Sequence, residues 1–269
     1  MAKVMGVLNI TPDSFSDGGM WLEFDAALRH ARRMVAEGAD VIDVGGESTR
    51  PGASPVAAAE EMRRVLPVIE ALAGEVTVSI DTRNEAVARA AVAAGARLVN
   101  DVSASLWRVA ADTGAGWVAM HMPAEPSVMA SHAHYGDVVA EVTAYLHDRA
   151  SQARRAGVTE VWIDPGIGFA KTAAHNFSLL RRLDELVATG WPVLVGTSRK
   201  SFLAAPSAGR ALPAGPVKGG STGTMGSMPE RMEATVATST WAILKGASMV
   251  RVHDVASTVM AASLAAMAS

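Results

Sequence analysis

The stretch Gly74-Glu75-Val76-Thr77-Val78-Ser79-Ile80-Asp81 carries the plan of the fold: a glycine, a short apolar run, and a carboxylate where the run stops. A glycine behind a helical segment supplies the left-handed residue that closes the helix, so the stretch reads as helix end, tight turn and buried strand. The same succession recurs from Gly38 to Asp43 and Gly45, Gly95 to Asn100 and Asp101, Gly114 to His121, Gly157 to Asp164, Gly190 to Ser198, and Gly246 to Arg251 and His253. An eighth run with the same kind of ending, Val4 to Asn9, opens the chain. Eight helix-linked strands are the simplest count.

Runs such as Val41-Ile42, Val76 to Ile80 and Val193-Leu194-Val195 suit a parallel sheet covered on both faces. The intervening segments carry helical spacing, as in Met62, Val65, Leu66, Ile69 and Leu72, where Ser54 and Pro55 are placed as cap and first helical residue. Eight such units in 269 residues match one α/β domain spanning residues 1–269, a (β/α)8 barrel with its active site at the C-terminal ends of the strands.

Apolar residues make up 49% of the chain and charged residues 19%, enough for a large core, and a net charge of -3 gives no electrostatic reason to expect nucleic acid. The absence of cysteine excludes disulfides and thiolate metal sites and fits a reducing compartment. No run of about 18 unbroken apolar residues occurs, and the N-terminus enters a strand without a signal-type segment. A soluble, cytoplasmic protein is expected. From Ala204 to Met228 the pattern breaks: nine of 25 residues are Gly or Pro, so an insertion is expected on the catalytic face, either decoration or a lid, with decoration favoured.

The polar strand ends form a chemical set: Asn9, Asp43, Asp81, Asn100, Asp164, Lys200, Arg251 and His253. The carboxylates of Asp81 and Asp164 and the amide of Asn100 match the donor and acceptor edge of an aminopyrimidinone-type heterocycle. Arg251 and His253, two apart on the last strand, point the same way and join Lys200 in a cationic corner suited to phosphate. Any one of these aspartates alone is as well explained as a helix cap; eight polar ends at one barrel mouth are not. His30, His132, His134, His147 and His175 fall in helical or loop stretches and are read as non-catalytic, with His121 intermediate. No nucleophile turn, metalloprotease helix or P-loop is present. A reaction whose substrate brings its own leaving group needs only positioning and charge stabilisation.

The stretches Gly6-Val7-Leu8-Asn9-Ile10-Thr11-Pro12-Asp13-Ser14-Phe15-Ser16-Asp17-Gly18-Gly19 and Asp43-Val44-Gly45-Gly46-Glu47-Ser48-Thr49-Arg50-Pro51-Gly52 closely resemble the two pterin-binding signatures of the dihydropteroate synthase family. Ser79 to Thr82, Asn100 to Ser103, Met120 to Met122, Asp164 to Lys171, Ser198 to Ser201 and Arg251 to Val255 extend that resemblance over nearly the whole chain. It implies condensation of 6-hydroxymethyl-7,8-dihydropterin diphosphate with 4-aminobenzoate in folate synthesis. By the same resemblance Asp81, Asn100, Asp164 and Lys200 bind the pterin, and Thr49, Arg251 and His253 hold the diphosphate with a magnesium ion (Mg2+) on Asn9. Arg50, Pro51, Phe169 and Ser201 shape the aminobenzoate pocket. Lys200, Arg251, Asp81 and Asp164 are then the catalytic candidates. The loops from Thr11 to Gly19 and from Glu47 to Ala53 would close over the site, and a homodimer through helices near the C-terminus is implied.

Two departures stand out. The chain is short between Asn100 and His121, which leaves the fourth helix in question, and Arg231-Met232-Glu233-Ala234-Thr235 replaces the glycine-threonine or glycine-serine pair more usual in the family, with Ala234 the unexplained change. Methyltetrahydrofolate-dependent methyltransferases share this kind of barrel but have no use for a diphosphate pocket, so Ser198-Arg199-Lys200-Ser201 and Arg251-Val252-His253 argue against them. A non-enzymatic pterin-binding relative is disfavoured by Asn9, Asp13, Arg50, Lys200 and His253.

Overall fold

A computed structural model describes residues 1–10, 19–47, 56–124, 132–204 and 228–267. The eight expected strands are present: β1 (Lys3–Asn9), β2 (Val41–Gly45), β3 (Thr77–Asp81), β4 (Leu98–Asp101), β5 (Gly116–Met120), β6 (Val161–Asp164), β7 (Leu194–Val195) and β8 (Met249–Val252). They form one parallel sheet in the order β6-β5-β4-β3-β2-β1-β8-β7. A parallel bridge between Ile163 and Val193 brings the two edge strands together and closes the barrel. The seven run-opening glycines all have positive φ, from 74° at Gly114 to 117° at Gly95, as helix-closing turns require.

Among the described residues the helices are α1 (Gly19–Ala36), α2 (Ala58–Leu72), α3 (Glu85–Ala93), α4 (Trp107–Thr113), α5 (Val138–Arg155), α6 (Ala173–Arg181), α7 (Leu183–Val187), α8 (Met228–Leu244) and α9 (Val255–Met267). None is long and apolar enough to cross a membrane. The expected start of α2 at Ser54-Pro55 is corrected: the N-cap is Ala57, without a side-chain cap, and Glu60 and Glu61 occupy the first turn. Their negative charge suits the positive end of the helix dipole, and the buried stripe of Glu61, Val65, Val68, Ile69 and Leu72 begins only there. The fourth helix forms despite the short segment. Buried Asp101 organises it, accepting from Ser103 N at 2.9 Å, Ser105 N at 2.7 Å, Leu106 N at 2.6 Å and Trp117 Nε1 at 3.1 Å.

Two apolar cores follow from strand alternation. The larger lies between helices and sheet, with Leu8, Ile42, Ile80, Trp117 and Ile163 on the outward side of the strands. The smaller, Met5, Val41, Leu98, Val118, Trp162, Leu194 and Met249, fills the barrel interior. Side chains alternate faces along a strand, so the next inward position nearer the C-terminal end holds Asp43 on β2, Asn100 on β4, Asp164 on β6 and Arg251 on β8. A polar layer therefore sits directly on an apolar plug.

Candidate active site

The polar layer is built around Asp43. This fully buried carboxylate accepts from Asn100 Nδ2 at 2.9 Å and from Arg251 Nε at 2.6 Å, both on Oδ2. The guanidinium continues to Asp81, donating from Nη2 to Oδ2 at 2.6 Å. Asp81 and Asn100 are register partners on β3 and β4, which places their side chains next to each other at the mouth. The amide of Asn100 thus spends a donor on Asp43, leaving its oxygen as an acceptor. Burial pushes Asp81 up to about 7 against the pull of Arg251, with Asp43 adding to the rise.

Asp164 stands across the mouth at the end of β6. Its Oδ1 accepts from Gly166 N at 2.7 Å, an Asx turn that fixes the carboxylate at the strand end. Burial raises its pKa, and Lys200 is the main opposing influence. Lys200 donates to the carbonyl of Ile167 and lies 4.7 Å over the Phe169 ring. Burial pulls this lysine down to about 8, with Asp164 holding it up. The half-buried Phe169 ring thus forms one wall beside the lysine, and the exposed Ser201 opens the 3₁₀ turn that follows it. His253 lies just past β8, its Nδ1 2.9 Å from Ser198 Oγ.

The cationic corner read from the sequence is changed by this geometry. Arg251 faces Asp43 and Asp81 rather than standing open, so a diphosphate has to compete with or add to that pairing. Asn9 ends β1 on the same rim. A Cβ placed at Gly45 would lie 3.7 Å from Asn9 Oδ1 and 3.8 Å from Asp81 Oδ2, so both oxygens flank one notch above Gly45. Among the described residues no cluster of three or more acidic or histidine side chains has the spacing of a metal cage.

Thr49, Arg50 and Pro51 lie outside the described residues, as do most of the two closing loops and of the Ala204 to Met228 insertion. Ala234 packs against the main core and its carbonyl accepts from Thr238 Oγ1 at 2.7 Å; nothing else in the structure explains the residue there. Among the described residues three non-glycines have left-handed backbones, Ala104, Ala170 and Arg199, at φ 50°, 46° and 58°. They fall in the loops after β4, β6 and β7, where strain is expected to serve the site. Asp43 is a polar strand end with no role legible in the sequence, and Ser198 and Lys171 have none there either; their signal exists only once strands are closed into a barrel.

The family described as pterin binding enzyme matches residues 5–253. The dihydropteroate synthase of Mycobacterium leprae is 48% identical over 96% of this chain and 90% of its own length. The Xanthomonas albilineans dihydropteroate synthase solved with 4-aminobenzoic acid superposes with a TM-score of 0.85 at 43% identity, covering 99% of this chain and 93% of that one. The same enzyme in complex with 7,8-dihydropteroate gives a TM-score of 0.82 at 41% identity, again over 99% and 93%. The acceptor-rich barrel mouth, its facing lysine and arginine, and these end-to-end similarities together establish that the chain belongs to the dihydropteroate synthase family of pterin-binding enzymes.

Proposed function

We propose that this chain condenses 6-hydroxymethyl-7,8-dihydropterin diphosphate with 4-aminobenzoate, yielding 7,8-dihydropteroate and diphosphate. The observation that carries the reading is the gathering of Asp81, Asn100 and Asp164 around one mouth with Lys200 and Arg251. Carboxylate oxygens and the Asn100 amide oxygen present acceptors to the N–H edge of the ring, and the Lys200 ammonium supplies a donor to its acceptor atoms. The C–O bond to diphosphate breaks, a C–N bond to the aniline nitrogen forms, and that nitrogen gives up a proton to solvent. Positive charge passing onto the ring methylene is stabilised by the buried carboxylates, which are placed before the reaction begins. The neutral amine is already a nucleophile and needs no dedicated base to activate it. Arg251 and His253 serve the leaving group.

Magnesium fits at Asn9 on the chemistry of the donors. Mg2+ commonly takes one or two protein oxygens and fills its shell with substrate phosphates and water, so a single amide oxygen on the rim suffices. The bound ion would neutralise charge on the departing diphosphate. Residues 1–269 are read as one domain working in the cytoplasm. Trp241 and Leu244 on α8, and Met260 and Leu264 on α9, are 47%, 55%, 67% and 61% exposed, an apolar face suited to a second copy of the chain. Light scattering checks this: Leu264→Glu should halve the mass if the unaltered protein is a homodimer, and a monomeric unaltered protein refutes it.

The decisive assay is diphosphate release. Release that requires both substrates, with one dihydropteroate formed per diphosphate, supports the reading. Release without 4-aminobenzoate, or none with both substrates and magnesium present, refutes it.

A further inference from the structure

Lys171, two residues after Phe169 in the loop between β6 and α6, turns back onto that loop. Its Nζ lies 3.1 Å from Gly166 O, 3.0 Å from Phe169 O, 3.2 Å from His121 O and 3.0 Å from His121 Nδ1. Four acceptors from the end of β5 and the β6 loop therefore converge on one ammonium. The loop is bent to allow it: Gly166, Gly168 and Ala170 all have left-handed backbones, at φ 64°, 85° and 46°. An alanine pays steric strain for that conformation, so the surroundings must hold it there. The remaining loop contacts reach other parts of the chain. Ile167 O receives Lys200, Ala170 O accepts from Tyr135 hydroxyl at 3.1 Å, and Gly168 N donates to the buried Asn176 Oδ1 at 2.8 Å.

The loop thus has two sides. One presents Asp164, Phe169 and the Ile167–Lys200 contact to the barrel mouth, and the other wraps its carbonyls around Lys171. Burial pulls Lys171 down to about 7, with Asp164 holding it up. Carbonyl oxygens gathered this closely repel one another unless a cation sits among them, so the protonated form of the lysine is the piece that makes this loop shape stable. We propose that Lys171 is a positioning residue for the pterin half of the reaction: a tethered cation whose carbonyl cage sets the shape of the β6 loop and, through it, the placement of Asp164 and Phe169. The inference rests on the reading that the pterin binds at Asp164. Lys171 itself touches no substrate in this scheme.

The test is chemical replacement of the cation. Lys171→Ala should fold, retain its far-ultraviolet circular dichroism, and bind 6-hydroxymethylpterin about tenfold to a hundredfold more weakly in a calorimetric titration. In turnover the loss should fall mainly on KM for the pterin diphosphate, with KM for 4-aminobenzoate little changed. Added ammonium or methylammonium should recover pterin affinity, whereas tetramethylammonium, with no N–H to donate, should not. Unchanged affinity in folded Lys171→Ala overturns the proposal. So does a loss that no cation recovers, or one that all three cations recover equally, which is an ionic-strength effect. Should Lys171→Ala fail to fold, Lys171→Met, which keeps the packing of the stem, is read the same way, and failure of both to fold makes the lysine a purely structural residue. If the unaltered protein binds no pterin, the functional reading fails; if it binds and Lys171→Ala binds equally well, this proposal alone fails.

Discussion

Gly166→Ala and Gly190→Ala form a matched pair, because both glycines have left-handed backbones, at φ 64° and 81°, but very different surroundings. A Cβ at Gly190 meets nothing within 4 Å, so the substitution carries only the left-handed penalty of about 1 kcal/mol. For a chain of this size that is about 2 to 4 °C in Tm. A Cβ at Gly166 would stand 3.0 Å from the His121 carbonyl carbon and closer still to its oxygen. This is rigid backbone, so the loop must move. Movement puts at risk the Gly166 N to Asp164 Oδ1 bond at 2.7 Å and the Lys171 contact to Gly166 O at 3.1 Å. Hydrogen bonds to charged groups contribute about 1.5 to 3 kcal/mol each, so with the left-handed penalty the full cost is roughly 4 to 7 kcal/mol. A loop that yields locally escapes part of this but misplaces Asp164, and pterin affinity then falls by about a hundredfold. Thermal unfolding and calorimetric pterin titration of the two variants side by side read both routes. If Gly166→Ala matches Gly190→Ala in Tm and in affinity, the packing argument for the β6 loop is wrong.

Arg251→Ala should lower stability by about 3 to 5 kcal/mol by leaving Asp43 and Asp81 unpaired, and adding Asp43→Asn should restore part of it; equal stability of the single and double variants in urea unfolding would refute the pairing. Asp101→Ala strips partners from four N–H donors and should cost about 3 kcal/mol or more, with hydrogen exchange speeding up first in α4; unchanged exchange there would remove Asp101 from its organising role. Burial, helped by Lys171, holds His121 down to about 3, so the folded state stays neutral there while the unfolded chain takes up a proton near pH 6.5. Its contribution is therefore present above pH 6.5 and is lost as pH falls toward 3. His121→Asn, which keeps an acceptor for Lys171, should flatten Tm against pH in that window; an identical slope would place the acid sensitivity elsewhere.

The architecture was legible because it repeats. Each glycine, apolar run and polar terminus is a local signal, and eight of them in one chain leave a parallel barrel as the economical solution. Ser54 and Pro55 have good local chemistry for a cap, whereas the helix begins at Ala58, one turn before its buried face starts at Glu61. The fourth helix is not legible in the sequence because the service of Asp101 to Trp117, 16 residues away, has no local trace.

At the site, the sequence by itself determined which polar groups stand at the strand ends and on which face, since strand alternation is a property of the backbone. It also carried the family resemblance. Only the tertiary structure decided who pairs with whom. Arg251 and Asp43 are 208 residues apart in the chain, and closing the barrel places them 2.6 Å apart, turning an expected open cation into the bridge between two carboxylates. The cage of Lys171 depends likewise on carbonyls from two loops and on backbone angles that residue identity does not dictate at Ala170. Local chemistry sets the inventory of a site, and long-range closure sets its charge state and shape, because burial and neighbouring charge exist only after the strands have met.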